Sequence, residues 1–230
     1  MLTGEEWEVV VLSVQVALAA VALAVPPGIW LAYRLARRTM PGQFLVENLV
    51  QLPLVLPPIV TGYLLLVAFS PEGPVGVLLS SVFGVRIPFS WAGACIAAGV
   101  VAFPLLVQTM RVTFEQIRPE WEEAVYVYGG GSWAAFRYVV LPLAGRGIAA
   151  GFTLAFARAI GEFGATIVLA GNIPGRTRTL PLAIFTRLNQ VGGDAAAWRL
   201  VAIAVGLSVC SLLLHTLLTR RLHDPRHPAG

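Results

Sequence analysis

Three stretches of this chain hold no Asp, Glu, Lys or Arg: Val9 to Tyr33, Asn48 to Pro71 and Ile87 to Met110. At a rise of about 1.5 Å per residue, each is longer than the ~20 residues that cross the hydrocarbon core of a bilayer. Leu200 to Thr219 is charge-free over a full span as well, and Gly147 to Gly171 is apolar except for Arg158 and Glu162. Five spanning helices are predicted. Composition agrees, because 12% of the residues are charged where a soluble domain carries about 25%. The mean hydropathy is +0.77.

Basic residues orient the spans, since they concentrate on the cytoplasmic side. The first loop has Arg34, Arg37 and Arg38, the third has Arg111, Arg118, Arg137 and Arg146, and the tail has Arg220, Arg221 and Arg226. The amino terminus has Glu5, Glu6 and Glu8 and no basic residue, and the second loop has only Arg86. This puts the amino terminus outside and the third loop and the tail inside. Arg176, Arg178, Arg187 and Arg199 then fall outside, an excess that needs a reason. The net charge of +4 follows this topology and implies no nucleic-acid partner. Residues 1–8 lack a basic n-region, so no cleavable signal is expected. Cys95 and Cys210 lie inside spans and are read as packing residues.

The third loop is the patterned one: "PEWEEAVYVYGGGSWAAFRYVVLP", Pro119 to Pro142. Pro119 suits a first helical turn, and Glu120, Glu122 and Glu123 follow where the helix dipole favours negative charge. Trp121, Ala124, Val125 and Tyr128 recur at helical spacing and form one apolar face. Gly129 to Gly131 ends the helix, glycine taking left-handed geometry freely. Ser132 is the expected N-cap of a second short helix, with Trp133, Phe136 and Val140 on one side and Pro142 closing the unit. An apolar face on the water side of a membrane protein suits either docking into a partner's groove or lying on the lipid surface. The three glutamates count against an anionic leaflet.

"EAVYVYGGGSWAAFRYVVLP" resembles the EAA loop of permease subunits of ATP-binding-cassette (ABC) importers, through Glu123-Ala124, Gly129 and Leu141-Pro142. Val125 stands where alanine is usual, and Val139 where isoleucine is common. "MPGQ" (Met40 to Gln43), "LPLVLPPIVTGYLLL" (Leu52 to Leu66), "FARAIGEFGATI" (Phe156 to Ile167) and "NIPGRTRTLPLAIF" (Asn172 to Phe185) are similar to the molybdate branch of that family. The resemblance implies an all-α polytopic membrane protein with the type I ABC importer permease fold. It would be a single permease domain over residues 1–230, with cytoplasmic coupling helices in the loop 119–142. Trp121, Glu123, Ala124, Tyr128, Gly129, Leu141 and Pro142 would couple it to the ATPase. The resemblance also implies two ATPase subunits that bind ATP and Mg, a second permease copy, and an extracytoplasmic molybdate-binding protein. The chain itself would hold no cofactor and no catalytic centre, and would sit in the inner membrane among lipid. The implied substrate is molybdate, with tungstate beside it; sulfate or another oxyanion is the rival within the superfamily.

Arg158 and Glu162, at i and i+4, are expected to share a helical face and avoid lipid, because a lone charge at the bilayer centre costs about 2.5–3.5 kcal/mol. They are either a structural ion pair or part of an anion's route. Pro53, Pro57 and Pro58 predict a kink in the second span, which a membrane tolerates only against protein or a wet cavity. Either the kinked helix flanks the pathway or it merely shapes packing. Arg176 and Arg178 would meet a binding protein, draw an oxyanion, or be solvated, with a short helix following over Leu180 to Leu188. No G-x-x-x-x-G-K-[ST] occurs, and His215, His223 and His227 lack metal-ligand spacing. A membrane enzyme is disfavoured by the missing nucleophile–base set. A stand-alone channel or secondary transporter is disfavoured by the coupling loop and by the lack of a repeated half.

Overall fold

The computed structural model describes residues 3–37 and 41–220, and among them every regular element is a helix. Arg38, Met40, Arg221, Arg226, His223 and His227 lie outside the described residues. Helix α1 (Gly4–Ala36) opens with a capping box. The Thr3 hydroxyl accepts the Glu6 N–H at 3.2 Å, and the Glu6 carboxylate accepts the Thr3 N–H at 2.8 Å. Two further spans, α5 (Trp91–Gln116) and α8 (Leu141–Ile160), pack with α1 around a core of small residues. Ala17, Ala20, Ala98, Ala102, Ala144 and Ala155 are buried in it. Small side chains let backbones approach where lipid offers no hydrophobic drive to association.

Side-chain contacts fix the directions of the spans. A Cβ on Gly28 would lie 3.1 Å from Leu106, and one on Gly99 would lie 3.3 Å from the Ala20 carbonyl. Arg37 donates to the Ile117 carbonyl at 3.2 Å. Helices α1 and α5 therefore run parallel, and the chain between them must cross back. It does so through α2 (Gln43–Val55) and α3 (Pro58–Phe69), set at 115° to each other. The kinked single span predicted over Asn48 to Pro71 is thus corrected to a broken one. A residue before proline is pushed out of helical geometry, and Leu56 (ψ 143°) and Pro57 (ψ 132°) are both extended. Counting the broken pair as one crossing gives five. A short apolar helix, α4 (Pro74–Phe83), follows it and was not expected from the sequence.

The span predicted over Gly147 to Gly171 is corrected at both ends. A continuous helix runs from Ser132 to Ile160, made of α7 (Ser132–Ala135), a π-turn (Phe136–Val140) and α8. Pro142 does not close a separate unit. It lacks an N–H and its ring crowds the carbonyl four residues back, and the wider π-turn before it relieves both. Ser132 is the first residue of the helix, its N-cap being Gly131. At the other end α8 stops at Ile160, and after a break α9 (Gly164–Leu169) continues.

Helix α11 (Asp194–Arg220) returns antiparallel to α8, with His215 Nδ1 2.8 Å from the Ala150 carbonyl. Between them α10 (Leu180–Leu188) keeps the bounds of the predicted short helix. Cys95 is buried, whereas Cys210 is exposed on α11.

Candidate functional site

Two places in the fold gather the residues singled out above. The first is the patterned loop, where α6 (Glu120–Val127) follows an N-cap at Pro119. Tyr128 is 91% exposed and Trp121 is 48% exposed, with Ala124 and Glu123 also on the open side. Val125 is half-buried, because its side chain closes on the chain reversal at Gly130. Gly129 has φ +82°, the left-handed geometry predicted for the turn. Leu141 is half-buried and Pro142 exposed at the start of α8.

The three glutamates of this loop play different parts. Glu120 lies 3.4 Å from Arg118 in the open, and Glu123 is exposed. Glu122 instead turns inward, 8% exposed, and pairs with Arg37 while accepting the Tyr33 hydroxyl at 2.6 Å. Sequence reasoning missed this contact. The signal available was Tyr33 and Arg37 at i, i+4 on the end of the first span.

The second place is the junction of the two broken helices. Gly151 of α8 lies against Met110 of α5, with Gly147 against Thr113. Arg158 stands roughly 10 Å of helical rise beyond Gly151, opposite the middle of α5. The Arg158 Nη2 is 2.9 Å from Glu162 Oε2. The pair does not share a helical face, because Glu162 lies past the end of α8 in the break. Its carboxylate, 2% exposed, also accepts the Ala165 N–H at 2.8 Å and so holds the first turn of α9. The Arg158 side chain is 31% exposed.

Pro58, the first residue of α3, meets this break directly, with Pro57 just before it in the other break. A Cβ on Gly164 would lie 2.7 Å from the Pro58 Cβ, and one on Gly62 would lie 2.7 Å from the Ala165 Cα. Beside Gly62, the Thr61 hydroxyl is buried without a hydrogen-bond partner. The Arg158–Glu162 pair therefore lies where α8 gives way to α9, and α3 packs on that same break.

Three of the arginines predicted to lie outside pair with the amino-terminal glutamates. Arg199 reaches Glu6 at 2.6 Å, Arg187 reaches Glu5 at 2.7 Å, and Arg178 lies 3.7 Å from Glu5 while donating to Asn172 at 2.9 Å. Arg176 is exposed. Among the described residues no cluster of His, Cys, Asp and Glu is arranged to hold a metal.

Comparison with known proteins bears on the same elements. The chain is 45% identical over 220 residues to the molybdenum transport system permease protein ModB of Escherichia coli K12, covering 96% of each. The sulfate transport system permease protein CysT of the same organism is 37% identical over 187 residues, 81% of this chain and 66% of that one. A bacterial alginate ABC transporter, solved in complex with a periplasmic protein bound to alginate pentasaccharide, shares the fold. Its TM-score is 0.67 at 16% identity, over 96% of this chain and 81% of that one. Residues 24–224 match the family described as binding-protein-dependent transport system inner membrane component, and the chain belongs to that family.

Proposed function

We propose that the chain is the membrane-spanning permease subunit of an ATP-driven importer of molybdate, with tungstate beside it. The observation that carries this reading is the identity with ModB along nearly the whole chain, higher and more complete than that with CysT. ATP and Mg bind in a pair of partner ATPase subunits, on which the open face of α6 docks through Trp121, Ala124 and Tyr128. Water-exposed aromatic residues on a short helix support that reading. A second copy of the chain completes the pathway by symmetry, and an external binding protein delivers the anion. The break at Pro57 and Pro58 flanks the route, and the Arg158–Glu162 ion pair braces the facing break beside it. Arg178 is already paired, so of the two loop arginines Arg176 is the one free to meet the binding protein. The test is uptake of labelled molybdate by vesicles holding the permease, its ATPase and its binding protein. Tungstate is expected to compete and sulfate not; equal competition by sulfate would favour the broader oxyanion reading.

The amino terminus faces outside in this reading, and α6 faces the cytoplasm. Glu5 lies with Arg178 and Arg187, and Arg37 lies with Glu122, so the two groups sit at opposite ends of α1. A cysteine at position 5 should react with an impermeant reagent added outside intact cells, and one at position 123 only after the cells are opened. The reverse pattern overturns the docking assignment.

A further inference from the structure

The buried Glu122 contact has no part in docking as described, yet it ties α6 to the ends of both α1 and α5. Tyr33 and Arg37 stand one turn apart at the end of α1. Both reach the Glu122 carboxylate, in the first turn of α6. Arg37 also donates to the carbonyl of Ile117, the C-cap of α5, at 3.2 Å. The Tyr33 ring packs against Phe114 of α5 at 5.7 Å between centroids and against Phe136 of the π-turn at 5.0 Å. The ends of α1 and α5, the start of α6 and the π-turn all converge on one carboxylate and one ring.

Without this contact α6 is held weakly. Its backbone leaves α5 through the extended Ile117 and returns through three consecutive glycines, of which Gly129 is left-handed. A push on its open face would be taken up at those glycines. A buried charge-assisted pair is short, directional and little screened by water, and it can carry the displacement instead.

We propose that Glu122, Tyr33 and Arg37 form a joint that fastens the coupling helix to the ends of α1 and α5. A displacement imposed on its exposed face then moves those two spans with it. Glu122 is a positioning residue of coupling: it touches neither the transported anion nor the ATPase. The proposal rests on the docking reading above and adds the path by which the motion enters the membrane.

The experiment uses the full transporter in vesicles with its co-expressed ATPase and a molybdate-loaded binding protein. Glu122→Gln removes the charge at nearly constant shape, and Tyr33→Phe removes one oxygen while leaving the ring on Phe114 and Phe136. Each is combined with Tyr128→Cys for cross-linking to the ATPase. The cross-link is expected to form and basal ATP hydrolysis to stay at the level of Tyr128→Cys alone. Stimulation by the loaded binding protein should fall at least about fivefold, the low end of coupling between distant sites. Spin labels at Ala36 and Tyr126 should keep a constant separation on ATP binding in the otherwise unaltered chain and lose it in Glu122→Gln. A formed cross-link with full stimulation, or labels that separate without any joint mutation, overturns the joint alone. Failure of Tyr128→Cys to cross-link in the otherwise unaltered chain overturns the docking reading and the joint together. If Glu122→Gln does not assemble, Tyr33→Phe decides by the same ratio.

Discussion

Replacing Arg158 with methionine is expected to remove most assembled, transporting protein, and to do more harm than replacing Arg158 and Glu162 together. The single change strands a carboxylate that is 2% exposed. Breaking a buried pair by removing one partner costs about 3–5 kcal/mol, whereas replacing both with groups of similar volume is often near neutral. Arg158→Met with Glu162→Gln leaves the amide oxygen of residue 162 available to the Ala165 N–H, which Glu162 now holds at 2.8 Å. The checks are yield of detergent-stable protein and molybdate uptake, measured on the two single variants and the double. A double variant that assembles normally but does not transport would show that the ion pair is more than structural, and would assign Arg158 to the anion's route.

Gly62→Val should be nearly as damaging, for a steric reason. The added Cβ would stand 2.7 Å from the Ala165 Cα and 2.8 Å from its carbonyl oxygen, so α3 and α9 must part. Forcing extra methyl groups into a packed site costs about 1–3 kcal/mol, and here the obstacle is backbone, which cannot rotate away. The melting temperature of the purified protein should drop, and uptake should fall in step. Gly62→Ala should show a smaller loss of the same kind. Wild-type melting and uptake in Gly62→Val would mean that the two broken helices do not meet in the working transporter.

The unbroken spans were legible because they are one-dimensional properties of the chain. The charge-free runs at Val9 to Tyr33 and Leu200 to Thr219 announce themselves by length alone, and α1 and α11 contain them. Gly129 was legible because a run of glycines after a helical pattern has few other uses. The breaks were not. Three prolines between Leu52 and Leu66 suggested a kink, but a 115° turn depends on what receives it, and Gly164 and Ala165 lie a hundred residues away. In the same way, a carboxylate four residues after an arginine reads as a helical pair. Only the end of α8 at Ile160 shows that Glu162 instead lies in the break and accepts an N–H from the first turn of the next helix. Glu122 was hidden for the opposite reason. Its neighbours Glu120 and Glu123 face water, and nothing in a run of three acids distinguishes the one that turns inward.

If the amino terminus faces outside, as proposed above, the pairing of Arg178, Arg187 and Arg199 bears on how an anion first meets this protein. On the amino-terminal side, Glu5, Glu6, Glu8, Glu72 and Asp194 stand against Arg86, Arg176, Arg178, Arg187 and Arg199, five acids to five bases. That side is electrically neutral as a whole, and the sequence's net charge of +4 is carried by the remainder of the chain. At physiological ionic strength the Debye length is about 8 Å, so ion pairs of this kind cast almost no field into the surrounding water. A small dianion diffusing nearby would feel no long-range pull and would have no kinetic advantage over a neutral solute. Capture therefore falls to whatever carries the anion to the membrane, and the entry rate of free molybdate should be insensitive to added salt.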